Sequence, residues 1–153
     1  MPGFDALYRQ TITLFNRKEV DGKTYWYPTV LGGVHLVLDQ SIIISTYGEQ
    51  AQDNAMVHIM YQKSGADAIV GGKVYMTPKV FRASGDPTFN ITFGYGDNFD
   101  FIMSGAYGDI SPVDDTTYKH GFFNHMNKLY DEVFAITRVA KFNLIPHFEI
   151  TAR

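Results

Sequence analysis

The sequence predicts one mainly β domain covering residues 1–153: a small antiparallel barrel or sandwich with one packed helix near the C-terminus, at about 116–132. Three observations carry that prediction. Apolar residues alternate with period two along most of the chain, and side chains alternate between faces only in strands. Twelve Phe and ten Tyr favour a pleated, half-buried surface. A single stretch has the apolar spacing of a helix. At 153 residues the chain buries roughly two thirds of the surface its unfolded form exposes, so it folds without a disulfide or metal staple.

In the first strand Ile12 and Leu14 oppose Thr11 and Thr13, and the turn dipeptide Asp21-Gly22 leads into Tyr25-Trp26-Tyr27. That pattern is a hairpin. Pro28 lacks an N–H and belongs at a strand edge or entrance. Gly32-Gly33 marks a bulge or a sharp bend of the kind small barrels use at corners. Beyond it Val34, Leu36 and Leu38 face one way, and His35, Val37 and Asp39 the other. Residues 39–53 are expected to form a long connection. Ala55, Val57, Ile59 and Tyr61 then alternate against Met56, His58, Met60 and Gln62 as a strand.

Turns are expected at Ser64-Gly65 and Gly71-Gly72, and Pro78 and Pro87 bracket a segment of irregular pattern. Phe89, Ile91, Phe93 and Tyr95 alternate, Gly96-Asp97-Asn98 turns, and Phe99, Phe101 and Met103 return, which predicts a hairpin. Phe122, Met126, Leu129, Tyr130 and Val133 form the helical stripe, with Asp114 or Asp115 as the cap. Gly121 inside that stretch costs about 1 kcal/mol against Ala, so the helix depends on docking to the sheet. Two closing strands follow, with a turn near Asn143 to Pro146. Their alternation slips between Ile136 and Phe142.

Chemistry is sparse in these patterns. Without cysteine there is no disulfide framework and no thiolate metal site, as expected of a chain that folds in a reducing cytoplasm. The opening MPGFDALYRQ does not read as a secretory leader, and no apolar run is long enough to cross a bilayer, so no membrane role is expected. A net charge of -3 without a Lys/Arg cluster argues against a surface that tracks phosphates. In Gly65 to Val74 the phosphate-loop motif fails twice, because its first glycine falls at Asp67 and Val74 follows Lys73.

Among the histidines, His120 and His125 point about 140° apart on a helix. His35 and His58 lie on separate strands and can neighbour each other across a sheet. His147 is the fifth, and half-exposed strand histidines are the plain reading, with no metal site expected. Asp97, Asn98 and Asp100 lack the bidentate Glu of a calcium loop and read as a solvated turn. Ser104-Gly105 lacks a nucleophile elbow. Glu49, Asp53, Asp109 and Asp114 could meet in space as an acid/base pair, but no motif singles them out. No catalytic role and no cofactor is expected.

Three stretches, in order, carry a family resemblance. TITLFNRKEVDGKTYWYPTVLGGVHL, Thr11 to Leu36, resembles the N-terminal region of small phage and prophage neck proteins, the minor capsid or head-closure proteins. Their pattern there is a strand, a short acidic/Gly turn, an aromatic pair and a T-V-L-x-G-V strand. YGEQAQDNAMVHIMY is similar to their next segment through Asp53, Asn54, Val57 and Ile59, and ITRVAKFNLIPHFEIT, Ile136 to Thr151, to their closing strand pair.

The resemblance implies a structural virion protein of the bacteriophage neck: a β-barrel assembling with itself as a ring between a portal-side adaptor and a tail terminator or tail tube protein. Such a ring is assembled in the bacterial host cytoplasm and retains packaged double-stranded DNA, to which it lies close without specific contact. The long connection is the candidate channel or inter-subunit loop, through Gln40, Ser41, Ile42, Ile43, Ile44, Ser45, Thr46, Tyr47, Gly48 and Glu49. Trp26 and Tyr27 are then an anchor at the barrel entrance, and Gly32 and Gly33 turn its corner. A tail terminator or tail completion protein is a neighbouring reading. A small-ligand-binding barrel is the reading from another class.

Overall fold

In the computed structural model, which describes residues 9–38 and 55–153, the chain turns back at Asp21 and Gly22 with φ of 54° and 78°. Positive φ at both central residues matches a two-residue hairpin turn to the twist of its strands. Strand β1 (Gln10–Val20) therefore pairs with β2 (Lys23–Leu38) along nearly its whole length. Gln10 lies opposite Val34 but Ile12 opposite Leu31, so two residues, Gly32 and Gly33, face the single Thr11. This is the bulge expected at the glycine pair, and Gly33 supplies the φ of 65°.

The chain continues through β3 (Ala55–Met60), β4 (Gln62–Ser64), β5 (Asp67–Val70) and β6 (Lys73–Tyr75) to a short helix α1 (Pro78–Ser84). After β7 (Asn90–Ile91) come β8 (Phe101–Ser104), β9 (Val113–Asp114), helix α2 (Phe122–Leu129) and the closing pair β10 (Val133–Phe142) and β11 (His147–Ala152). Strands β1, β8, β10, β11, β3 and β2 pair in that order, and β2 pairs again with β1. Six antiparallel strands thus close into a barrel, and β9 adds one more at β2. In β10, Thr137 is an extra residue between Ile136, opposite Ala152, and Arg138, opposite Thr151. That bulge is the slip in the alternation.

Inside the barrel, Leu14, Val57, Phe134, Phe148 and Ile150 are buried in one core. The second sheet, β4 to β7, joins the same core through Ala68, Val70 and Ile91. Phe93 and Tyr75 pack on Phe148 at ring separations of 4.9 and 4.7 Å. The interior is thereby filled with side chains. Outside the barrel wall a second cluster, Phe15, Trp26, Phe101, Phe122, Met126 and Val133, fastens α2 to the strands.

Three expectations are corrected. The helix spans Phe122–Leu129 rather than about 116–132. Gly121 has φ of 88°, which no α-helix contains, so the helix starts after it, and the earlier residues 115–117 form a separate 3₁₀ turn. Val133, the last member of the expected stripe, is buried from β10 instead. A second helix, α1, fills the irregular stretch after Pro78. Only Phe81 is buried in it, so it leaves no apolar stripe, and Pro at the first turn is its one sequence signal.

The hairpin expected across Gly96 to Asn98 is absent. Strand β7 pairs in parallel with β6, whereas β8 pairs with β1 and β10. Asp100 accounts for this, because its N–H donates to Gly94 O and its carboxylate accepts from Gly94 N–H at 2.6 Å. One side chain closes the turn, and the chain crosses between sheets.

Candidate functional site

The outward residues of β2, β3, β11 and β10 form cross-strand rows set by register. In one row Phe142, His147 and Met60 are successive partners; in the next, Ala140, Glu149, His58 and His35; in the third, Arg138, Thr151, Met56 and Val37. Inward neighbours such as Val57, Ile59, Phe148 and Ile150 fill the core, so the period of two sends these residues to the outside. Val37, Met56, Met60 and Phe142 are exposed there, and the adjoining turn adds Ile145 and Leu144, the latter 98% exposed. A polar histidine row thus lies between two rows bearing exposed apolar side chains.

His35 and His58, expected as possible neighbours across a sheet, are register partners with ring centres 5.6 Å apart. Burial lowers the His58 pKa, with the neighbouring His35 and His147 adding to the shift and Glu149 opposing it. His125 lies elsewhere, on α2, with its ring 4.5 Å from Tyr118.

Trp26 is 2% exposed and lies on the outer side of the wall, beneath the segment that carries α2. Its ring meets Phe101 edge-on at 4.9 Å, and its Nε1–H donates to Asp115 Oδ1 at 2.9 Å. The same oxygen accepts from Phe122 N–H at 2.8 Å, so one carboxylate ties the tryptophan to the first residue of α2. Tyr27, on the opposite side of β2, is half-buried, and burial raises its hydroxyl pKa. Residues Gln40 to Glu49 lie outside the described residues. The strands flanking them end at Leu38 and Ala55, which are register partners.

At the inner side of β10 a groove of about 870 Å³ opens between α1 and the Gly96–Asn98 turn. Tyr75, Pro78, Lys79, Tyr95, Val139 and Lys141 are among its lining residues. Lys141 Nζ lies 5.4 Å from the ring centre of Tyr61 and 5.8 Å from that of Tyr75. Beside it Asp100 is fully buried and pairs with Arg82 at 3.1 Å. Arg17 N–H, Gly94 N–H and the Asn16 amide also donate to this carboxylate. Burial raises the Asp100 pKa, and these four donors oppose the rise. Asp100 therefore does not belong to a solvated turn, although Asp97 and Asn98 are exposed as expected. Lys73 follows an ordinary Gly71-Gly72 hairpin turn and is held by Thr29 Oγ1 and Pro87 O.

The residues that composition and motif did not single out are Met56, Met60, Phe142 and Glu149, whereas His147 stands out only as one of five scattered histidines. Their signal was the parity of the alternation: each occupies the face opposite the core residues of its own strand.

A family model described as "Family of unknown function (DUF6751)" matches residues 7–153. No curated protein and no solved structure matches the chain.

Proposed function

The chain belongs to the DUF6751 family, whose function is unknown, and we propose, from the resemblance of its sequence and from its outer face, that it is a structural connector of the phage neck, a head-closure protein that works as a ring of its own copies. The observation that carries this reading is the outer face bearing Val37, Met56, Met60 and Phe142. The core is already filled from the other side of the same strands, so these apolar groups are not waiting for an interior. Exposed apolar side chains gathered in two rows of one face are the kind of surface an interaction site presents. A ring of barrels buries such a face between neighbours.

The motif order of the three resembling stretches supplies the rest of the reading. Residues 40–49, the candidate segment for the channel, lie outside the described residues, and the strand ends that flank them, Leu38 and Ala55, are register partners. That channel lies between subunits, because each barrel is filled. The net charge of -3 suits a passage through which a polyanion slides. Tail-side and portal-side proteins dock on the two faces of the ring.

Electron microscopy of particles made by a phage lacking this gene tests the reading. Tailless heads that have packaged and then lost DNA are expected; normal tailed virions overturn it. The groove beside Lys141 favours a second reading, binding of a small molecule, because its volume lies within the range of ligand sites. That reading predicts a monomer that copurifies with a ligand, which native mass spectrometry distinguishes from a ligand-free ring.

A further inference from the structure

Two adjacent rows of this face, those of Glu149 with His58 and of His147, have a geometry that assembly does not require. Glu149 Oε1 lies 3.7 Å from His58 Nδ1 and 3.7 Å from His147 Nε2. One ligand atom from each of the three residues falls within 4.8 Å of the others. His147 Nδ1 is 2.7 Å from the carbonyl oxygen of Ile145. A carbonyl only accepts, so Nδ1 carries the proton, and in the neutral ring Nε2 keeps its lone pair. That lone pair faces a carboxylate oxygen across a gap too long for a hydrogen bond. Two acceptors face each other, and a cation between them turns repulsion into coordination.

The surroundings hold the imidazoles in place for that role. A ring N–H donated to a backbone carbonyl is how metal-bound histidines fix their tautomer and raise the basicity of the other nitrogen. Phe142 stacks on His147 at 4.8 Å and 9°, and the His58 ring lies parallel to that of His147 at 6.0 Å and 8°. All three side chains are partly exposed, which leaves an ion a path from solvent.

We propose that His58, His147 and Glu149 bind a divalent transition-metal ion of the zinc class, with the remaining coordination positions open to water or to an incoming ligand. Two imidazoles and one carboxylate suit zinc, cobalt, nickel or ferrous iron rather than calcium or magnesium, which take oxygen donors. Donors at about 2.0–2.1 Å from a tetrahedral ion stand roughly 3.4 Å from one another. The two 3.7 Å separations approach that value, while the two imidazole nitrogens, within 4.8 Å of each other, must draw together by side-chain rotation when the ion binds. The site lies in the same outer face that the neck reading buries between copies, and zinc titration of the chain tests it whether or not that reading holds.

The test is calorimetric titration of the tag-free full chain, stripped with chelator, with zinc chloride alone. One zinc per chain is expected. Glu149→Gln and His147→Ala should each weaken binding at least about 10-fold, while His125→Ala on α2 leaves it unchanged. Because a variant can lose its fold, the imidazole NMR signals of the unaltered chain are followed in parallel. The signals of His58 and His147 should move on adding zinc while those of His120 and His125 stay. Absence of binding at about 1 mM zinc, binding undiminished in the variants, or movement of the wrong histidines overturns the proposal.

Discussion

Gly32 and Gly33 show how differently two adjacent residues of the same type are constrained. Gly33 has φ of 65°, a region that costs an L-residue roughly 1–2 kcal/mol. Gly32 has no such φ, and a Cβ built on it meets nothing nearer than Thr11 Oγ1 at 3.9 Å. Gly33→Ala should therefore lower unfolding stability by about 1 kcal/mol or more, and Gly32→Ala by much less. Urea titration of both variants checks this, and equal losses would contradict the assignment of the bulge strain to Gly33. Trp26 is the other decisive position. With 2% of its surface exposed and its indole N–H spent on Asp115, Trp26→Ala should cost about 3–5 kcal/mol. A variant that unfolds at the same urea concentration as the parent would mean that the indole contributes no packing.

Among the elements, α2 depends most on contacts outside itself. Eight residues are too few for a stable isolated helix, and only Phe122 and Met126 are buried. Asp115 holds its start to the barrel by accepting from both Trp26 Nε1–H and Phe122 N–H. Asp115→Ala leaves both donors unpaired and should lower stability by about 1–3 kcal/mol, with faster amide exchange confined to α2 and its approach. Uniform exchange across the barrel would show that the helix is not a separable unit. These elements also explain which parts of the fold were legible. β3, the closing pair β10 and β11, and the Asp21-Gly22 hairpin each declare themselves through local alternation or turn chemistry. The 89–103 region did not, because its alternation does not sort inside from outside, with Phe89 and Tyr95 exposed and Ile91, Thr92 and Phe93 all buried, and its partners are remote. Ile91 pairs with Tyr75 and Phe101 with Phe15, choices fixed by the buried Asp100 rather than by the neighbouring turn. Helix α1 was hidden for the opposite reason, having a single buried anchor and so no period to detect.

At the scale of the whole molecule, the barrel converts one sequence pattern into two surfaces. The inward half of the alternation, Val57, Ile59, Phe148 and Ile150, makes the core and was legible as such. The outward half, Met56, His58, Met60, His147 and Glu149, becomes a site only when closure sets β3 beside both β2 and β11, which strand spacing along the chain does not reveal. The neck reading requires this face to associate with another copy, and the apolar residues can be charged without touching the interior. Met60 and Phe142 flank His147 in one row and are 40% and 42% exposed, so a Met60→Glu, Phe142→Glu double variant should fold with stability changed by no more than about 1 kcal/mol. Its self-association should nevertheless fall sharply, since each head-to-tail ring contact would bury two unpaired carboxylates, which are strongly disfavoured. Sedimentation velocity at matched concentrations measures the outcome directly. If the variant assembles as the parent does, the ring contact does not use these rows; if it is monomeric with an unchanged melting temperature, the outer face of β3, β11 and β10 is the surface through which copies meet.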